Sequence, residues 1–86
     1  LQDIDSSSSV LVTDCCLRCI QNSSMTVTMP SKSNATGRIL VIKDALGRAQ
    51  SNNIIIDGAS NYVIRQNFGT AILICDGINS WMVISR

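Results

Sequence analysis

The residues of this chain with the clearest capacity for chemistry are its four cysteines. Cys15, Cys16 and Cys19 lie close together, and Cys75 follows far along the chain. Thiols in a short chain can form disulfides, bind zinc, or be buried as small apolar side chains. The Cys16-x-x-Cys19 spacing suits one half of a zinc site, but such a site normally brings a second cysteine pair. All three interpretations remain open, and free buried thiols are the one we favour.

The charged residues form no arrangement typical of an enzyme. The chain has no His and no Glu, and its six acids are all Asp. Without His there is no Ser-His-Asp triad and no imidazole general base. Asp44, Asp57 and Asp76 each have a Gly one or three residues later, which is typical of Asp bonding to the backbone of a turn. We therefore interpret them as turn residues, and we expect no enzymatic activity, no metal and no cofactor.

Composition limits the partners that this chain can have. Charged residues make up 15% of the chain and the net charge is +1, so no basic surface for nucleic acid is indicated. The apolar runs are too short to cross a membrane. We expect neither a nucleic-acid partner nor membrane insertion.

Short apolar segments rich in Ile and Val alternate with turn signals along the chain, a pattern typical of β-strands. The absence of Glu also argues against a helix-rich protein. These features predict an all-β fold, a small antiparallel β-sandwich or barrel-like domain of about seven short strands. Residues 1–9 are predicted to be a polar lead-in or linker from something longer, and residues 10–86 the folded domain. The predicted strands are 10–13, 25–29, 38–43, 54–56, 62–64, 70–75 and 81–84, with 14–22 weakly favoured as an irregular strand.

The strand 38–43 carries apolar residues on both faces, which suggests a strand covered on both sides and hence a partner subunit. A single copy of a chain this small buries only about 63% of its unfolded surface. Oligomerisation would supply the missing burial. The residues predicted for the core or the subunit interface are Ile39, Val41, Ile55, Ile72, Ile74 and Trp81.

Several motifs of this chain stand in a fixed order from about Met25 to Ser85. They are a Thr/Val strand ending in Met29-Pro30, the run Gly37-Arg38-Ile39-Leu40-Val41-Ile42-Lys43-Asp44-Ala45-Leu46-Gly47-Arg48-Ala49, then Asn53-Ile54-Ile55-Ile56, Asn67-Phe68-Gly69, Asp76-Gly77 and Trp81-Met82-Val83-Ile84. In this order they resemble a module that recurs in bacteriophage tail fibres and other viral fibres. The segment with Cys15, Cys16 and Cys19 has no counterpart in that module.

The resemblance implies a homotrimeric head or tip domain at the virion surface. Such a domain would trimerise the fibre and attach it to a host cell-surface receptor, a glycan or a protein, with avidity from three identical sites. Two alternatives are a purely structural trimerisation or capping domain without a ligand, and a small zinc or redox protein built on the cysteines.

A receptor site would lie on loops, because the strands are taken up by the core and the interface. The loops in question are 44–53, 57–62 and 76–80. The candidate receptor-binding residues are Arg48, Gln50, Asn52, Asn61, Tyr62 and Asn79.

Overall fold

The computed structural model describes residues 2–10, 15–30, 36–58, 62–75 and 81–85, and these form strands and no helix. The all-β prediction is thereby confirmed. The nine strands of the described residues are β1 (Gln2–Ile4), β2 (Ser8–Ser9), β3 (Cys16–Cys19), β4 (Met25–Thr28), β5 (Ile39–Asp44), β6 (Ile54–Asp57), β7 (Tyr62–Ile64), β8 (Thr70–Cys75) and β9 (Trp81–Ser85). No helix in this part of the chain is long and apolar enough to span a membrane.

The strands form two sheets between which the chain alternates. Sheet A has the order β1-β3-β5-β8-β9, and sheet B has the order β2-β4-β6-β7. Strands β1, β3 and β5 are parallel to one another, as are β2, β4 and β6. The first six strands therefore make three turns of a flattened coil, with one strand of each turn in each sheet. The chain then reverses, and β7, β8 and β9 add to the sheets in antiparallel pairing.

Two details of the predicted fold are wrong. The sheets are mixed rather than antiparallel, and nine strands are described rather than about seven. Alternating side chains report which face of a strand is buried, but they do not report the direction of its neighbour. A parallel neighbour requires a long return connection, and here that connection is itself a strand of the other sheet.

The polar segment predicted as a lead-in is paired into both sheets at their edges. Residues 2–4 form β1 beside β3, and residues 8–9 form β2 beside β4. Ile4 and Val10 are buried in the core, while the Ser side chains of β2 need no apolar neighbour because β2 is an edge strand. Most of the predicted strand 10–13 lies outside the described residues.

The core lies between the two sheets and is supplied by alternate residues of each strand. In β5, Leu40 and Ile42 point inward; in β4, Met25 and Val27 do the same. The largest fully buried apolar side chains are Leu17, Leu40, Ile42 and Leu73 from sheet A and Val27, Ile54 and Ile56 from sheet B. Trp81 completes the core at 4% exposure, and its indole Nε1 donates to the carbonyl of Pro30 at 3.0 Å.

Candidate functional site

Three loops meet at one end of the two sheets. They are the 20–24, 45–53 and 65–69 loops, which follow β3, β5 and β7. Hydrogen bonds connect them: Gln21 Nε2 donates to the Asn52 carbonyl at 2.9 Å, and the Gln50 amide donates to Asn67 Oδ1 at 2.9 Å. The loops therefore form one surface rather than three independent turns.

The Asp44 carboxylate holds two of these loops together. Asp44 is the last residue of β5 and falls on the inward side of the strand, so it has no exposed surface. Its Oδ2 accepts hydrogen bonds from the Ala49 amide at 2.8 Å and from the Phe68 amide at 2.9 Å. Asp44 was predicted to bond its own turn, and it does so at Ala49. Its bond to Phe68, 24 residues away, could not be predicted from local spacing.

Phe68 displays an aromatic ring at the surface on a rigid backbone. Its φ is +60°, a conformation that bulky residues seldom adopt. Its carbonyl accepts a hydrogen bond from Lys43 Nζ, and the Lys43 ammonium lies 5.9 Å from the ring centroid. The ring also packs on Gly47, where a Cβ atom would overlap it and where φ is +72°. Despite these contacts the Phe68 side chain is 58% exposed.

A second set of contacts orders the outer part of the 45–53 loop. Arg48 Nη1 donates to the Gln21 carbonyl at 3.2 Å and also to Asn22 Oδ1. Gln21 is fully buried beneath the loop. Two buried acceptor atoms at this end of the sheets, Gln21 Oε1 and Asp44 Oδ1, have no hydrogen-bond partner among the described residues.

A cleft of about 440 Å³ opens beside these loops and is lined by residues 62–70. Arg65, Gln66 and Asn67 are exposed along it, and Tyr62 is half-buried at its other end. No acidic residue occurs in this segment. The cleft therefore combines one positive charge, two side-chain amides and the Phe68 ring.

The candidate receptor-binding residues are distributed unevenly over this surface. Arg48 and Gln50 are exposed on the 45–53 loop, while Asn52 is half-buried and uses its carbonyl to bind Gln21. Tyr62 lines the cleft. Asn61, Asn79 and the whole 76–80 turn lie outside the described residues.

Sequence reasoning did not identify Lys43, Arg65 or Phe68 as residues of this surface, and it assigned Asp44 to its own turn only. One signal for Asp44 was available, since Leu40, Ile42 and Asp44 share one face of β5 and the first two are plainly core residues.

The outward side of sheet A, opposite the core, is apolar along two rows of cross-strand neighbours. Ile39 pairs with Ile74 and Val41 with Ile72, and Met82 extends the first row beyond Ile74. We call these five residues the outer face of sheet A. Ile39 is 51% exposed and Met82 is 42% exposed. Four of the six residues predicted for the core or the interface therefore lie side by side on one surface.

The other two residues predicted for the core or the interface lie elsewhere. Ile55 is exposed on the outward side of sheet B opposite Val63, and Trp81 belongs to the core.

The four cysteines do not converge, and all are free thiols. Cys19 neighbours Asp44 at one end of β5, whereas the Cys75 amide bonds the Arg38 carbonyl at the other end. Six residues of extended strand separate these ends by roughly 20 Å. No group of three or more His, Cys, Asp or Glu side chains that could hold a metal occurs among the described residues.

Burial makes Cys19 a poor nucleophile. Desolvation, with a smaller effect of the neighbouring Asp44, raises the pKa of the Cys19 thiol to about 12. The thiolate is the reactive form of cysteine, so Cys19 is unreactive at neutral pH. Cys15 is exposed and Cys16 half-buried beside Val41.

Comparison with known proteins adds no family to this description, since no protein-family model and no curated protein matches the chain.

Proposed function

We propose that this chain is the head domain of a viral fibre, which assembles as a homotrimer and attaches the virion to a host cell-surface receptor. The proposal begins from the ordered motifs between Met25 and Ser85 that resemble viral and bacteriophage tail fibres. The outer face of sheet A is the observation that carries it. Its apolar side chains are the ones that a small β-domain would cover by assembly.

The partners that would cover the outer face of sheet A are further copies of the same chain. The two rows contain no charged side chain, so they offer nothing to select a charged partner. A standard interface takes roughly 800 Å² from each partner. Each chain of a trimer meets two neighbours, so assembly would cover roughly 1,600 Å² of a chain, about one third of the 4746 Å² that it exposes.

Attachment would then be the task of the loops. The 45–53 and 65–69 loops lie at one end of the sheets, outside the outer face of sheet A. They expose the polar side chains of Arg48, Gln50, Arg65, Gln66 and Asn67 together with the Phe68 ring. Three copies of a weak site on a rigid trimer bind a surface far more tightly than one copy does.

The test of assembly is the mass in solution, measured by light scattering over a range of concentrations. We expect about 28 kDa, three times the 9.3 kDa of one chain, without change on dilution. Ile39→Lys should produce the monomer, because it introduces a charge on the outer face of sheet A. Ile55→Lys makes the same change on the outward side of sheet B and should leave the trimer intact.

A wild-type protein that stays at about 9 kDa contradicts the proposal. Attachment is tested by binding of the labelled trimer to a panel of bacterial and eukaryotic cells. A trimer that binds none of them supports the alternative of a structural trimerisation domain.

A further inference from the structure

The cleft along residues 62–70 contains a guanidinium group to which no described residue bonds. Arg65 is exposed, and it alone among the described basic side chains has no interaction partner within the described residues. Arg18 pairs with Asp3, and Lys43 and Arg48 bond to backbone or side-chain oxygens of the loops. The planar guanidinium suits a carboxylate, which it can bind through two parallel hydrogen bonds.

Phe68 gives the same loop a preorganised apolar surface. The Asp44 carboxylate fixes its amide, Lys43 fixes its carbonyl, and Gly47 supports its ring. Phe68 is nevertheless the most exposed of the large apolar residues among the described residues. A ligand that packs on this ring meets a side chain that is already held in place, so little ordering entropy is lost on binding.

Two side-chain amides complete the set. Gln66 is exposed, and Asn67 accepts the Gln50 amide at its Oδ1, which leaves its Nδ2 available as a donor. Amides both donate and accept, so they match hydroxyl groups.

We propose that this cleft binds a carboxylate-bearing sugar residue. Arg65 would pair with the carboxylate, Phe68 would pack against the apolar C–H face of the pyranose ring, and Gln66 and Asn67 would bond its hydroxyls. The volume of about 440 Å³ lies within the range of small-ligand sites. A phosphate is less well matched, because phosphate sites usually gather several backbone amides or cations. The inference deepens the proposed attachment function and rests on it.

The test is an NMR titration of the full chain with three probes. The acidic probes are 3′-sialyllactose and a glucuronic-acid disaccharide, the two common sources of a sugar carboxylate, and lactose is the neutral probe. We expect at least one acidic probe to shift the amide signals of residues 65–69, with an affinity on the order of millimolar, and lactose to leave them unchanged.

Two variants assign the contacts. Arg65→Gln removes the charge and should weaken binding of the acidic sugar by about tenfold or more. Phe68→Asn should weaken it similarly while keeping the backbone, because Asn tolerates a positive φ. The matched control is Arg38→Gln, which makes the same charge change at the opposite end of sheet A and should bind like the wild type.

Three results would overturn the inference: neither acidic probe binds, lactose binds equally well, or Arg65→Gln binds like the wild type. A trimer that adheres to cells but ignores both acidic sugars overturns this inference and leaves the proposed function standing. A protein that neither assembles nor adheres contradicts the proposed function itself.

Discussion

At the level of single residues, the Asp44 carboxylate joins two loops that are distant in sequence. It accepts hydrogen bonds from the backbone amides of Ala49 and Phe68, and it is fully buried. The two hydrogen bonds, both at Oδ2, replace part of the hydration that the carboxylate loses on burial. The display of Phe68 at the surface therefore depends on a residue in the interior.

Replacing Asp44 should destabilise the protein, and the effect should be concentrated in the two loops that Asp44 joins. We expect Asp44→Ala to lower the free energy of unfolding by about 2–4 kcal/mol, because two amides lose their acceptor. Amide hydrogen exchange should accelerate at Ala49 and Phe68 before it does so in the strands. Asp57→Ala is the control, since Asp57 also ends a strand but is exposed, and it should cost less than about 0.5 kcal/mol. Equal losses in both variants would mean that the two bonds to Asp44 contribute nothing.

Cys19 should make stability depend on alkaline pH. The thiol of the unfolded chain loses its proton near its ordinary pKa of 9.0, whereas burial raises the pKa of Cys19 in the folded chain to about 12. Between these values the unfolded state binds fewer protons, so stability falls as pH rises, and it is unaffected below the lower value.

Urea denaturation of wild type and Cys19→Ala at pH 7 and pH 10 measures this dependence. The variant should lose less stability than the wild type over that interval, while Cys15→Ala, at an exposed position, should follow the wild type. Identical pH dependence in all three proteins would contradict the assignment.

At the level of elements, the alternation of buried and exposed residues defines which way each strand faces. In β6, Ile54 is fully buried against the core while its neighbour Ile55 is 37% exposed. A slip of one residue in register would exchange the two.

This pair gives a direct test of the register of β6. Ile54→Ala should lower the free energy of unfolding by about 2–5 kcal/mol through the lost contacts and the cavity. Ile55→Ala should cost less than about 1 kcal/mol, because its side chain already meets solvent. The urea midpoints of the two variants measure these losses. A larger loss for Ile55→Ala than for Ile54→Ala would mean that the other face of β6 points inward.

Sequence patterns predicted where most strands lie, but they did not predict which strands are neighbours in a sheet or in which direction those neighbours run. The alternation in β4 and the apolar run of β8 identified both strands. The pairing of β3 with β5 depends on side chains that are distant in sequence and come together only in the folded coil. A short stretch of sequence therefore does not show which strands will pair. The same holds for the bond between Asp44 and Phe68, whereas the exposed loops were identifiable from their polar composition.

At the level of the whole molecule, the two proposed tasks fall on different surfaces. The outer face of sheet A is apolar and lies along the sheet, and the loops at one end of the sheets are polar and carry the cleft. The proposed assembly and the proposed ligand site therefore use different residues.

The parallel coil also determines how the domain bears a mechanical load. A pull on the N-terminal end acts first on β1, which is bonded only to β3 in its sheet, and then on β2, which is bonded only to β4. Removing them makes β3 and β4 the next edges, so the coil yields one turn at a time. A pull on the other end meets β9 first, and β5 lies in the middle of sheet A. From either end the chain is unwound from an edge inward, so when both ends are pulled together β5 is the strand of sheet A that is reached last.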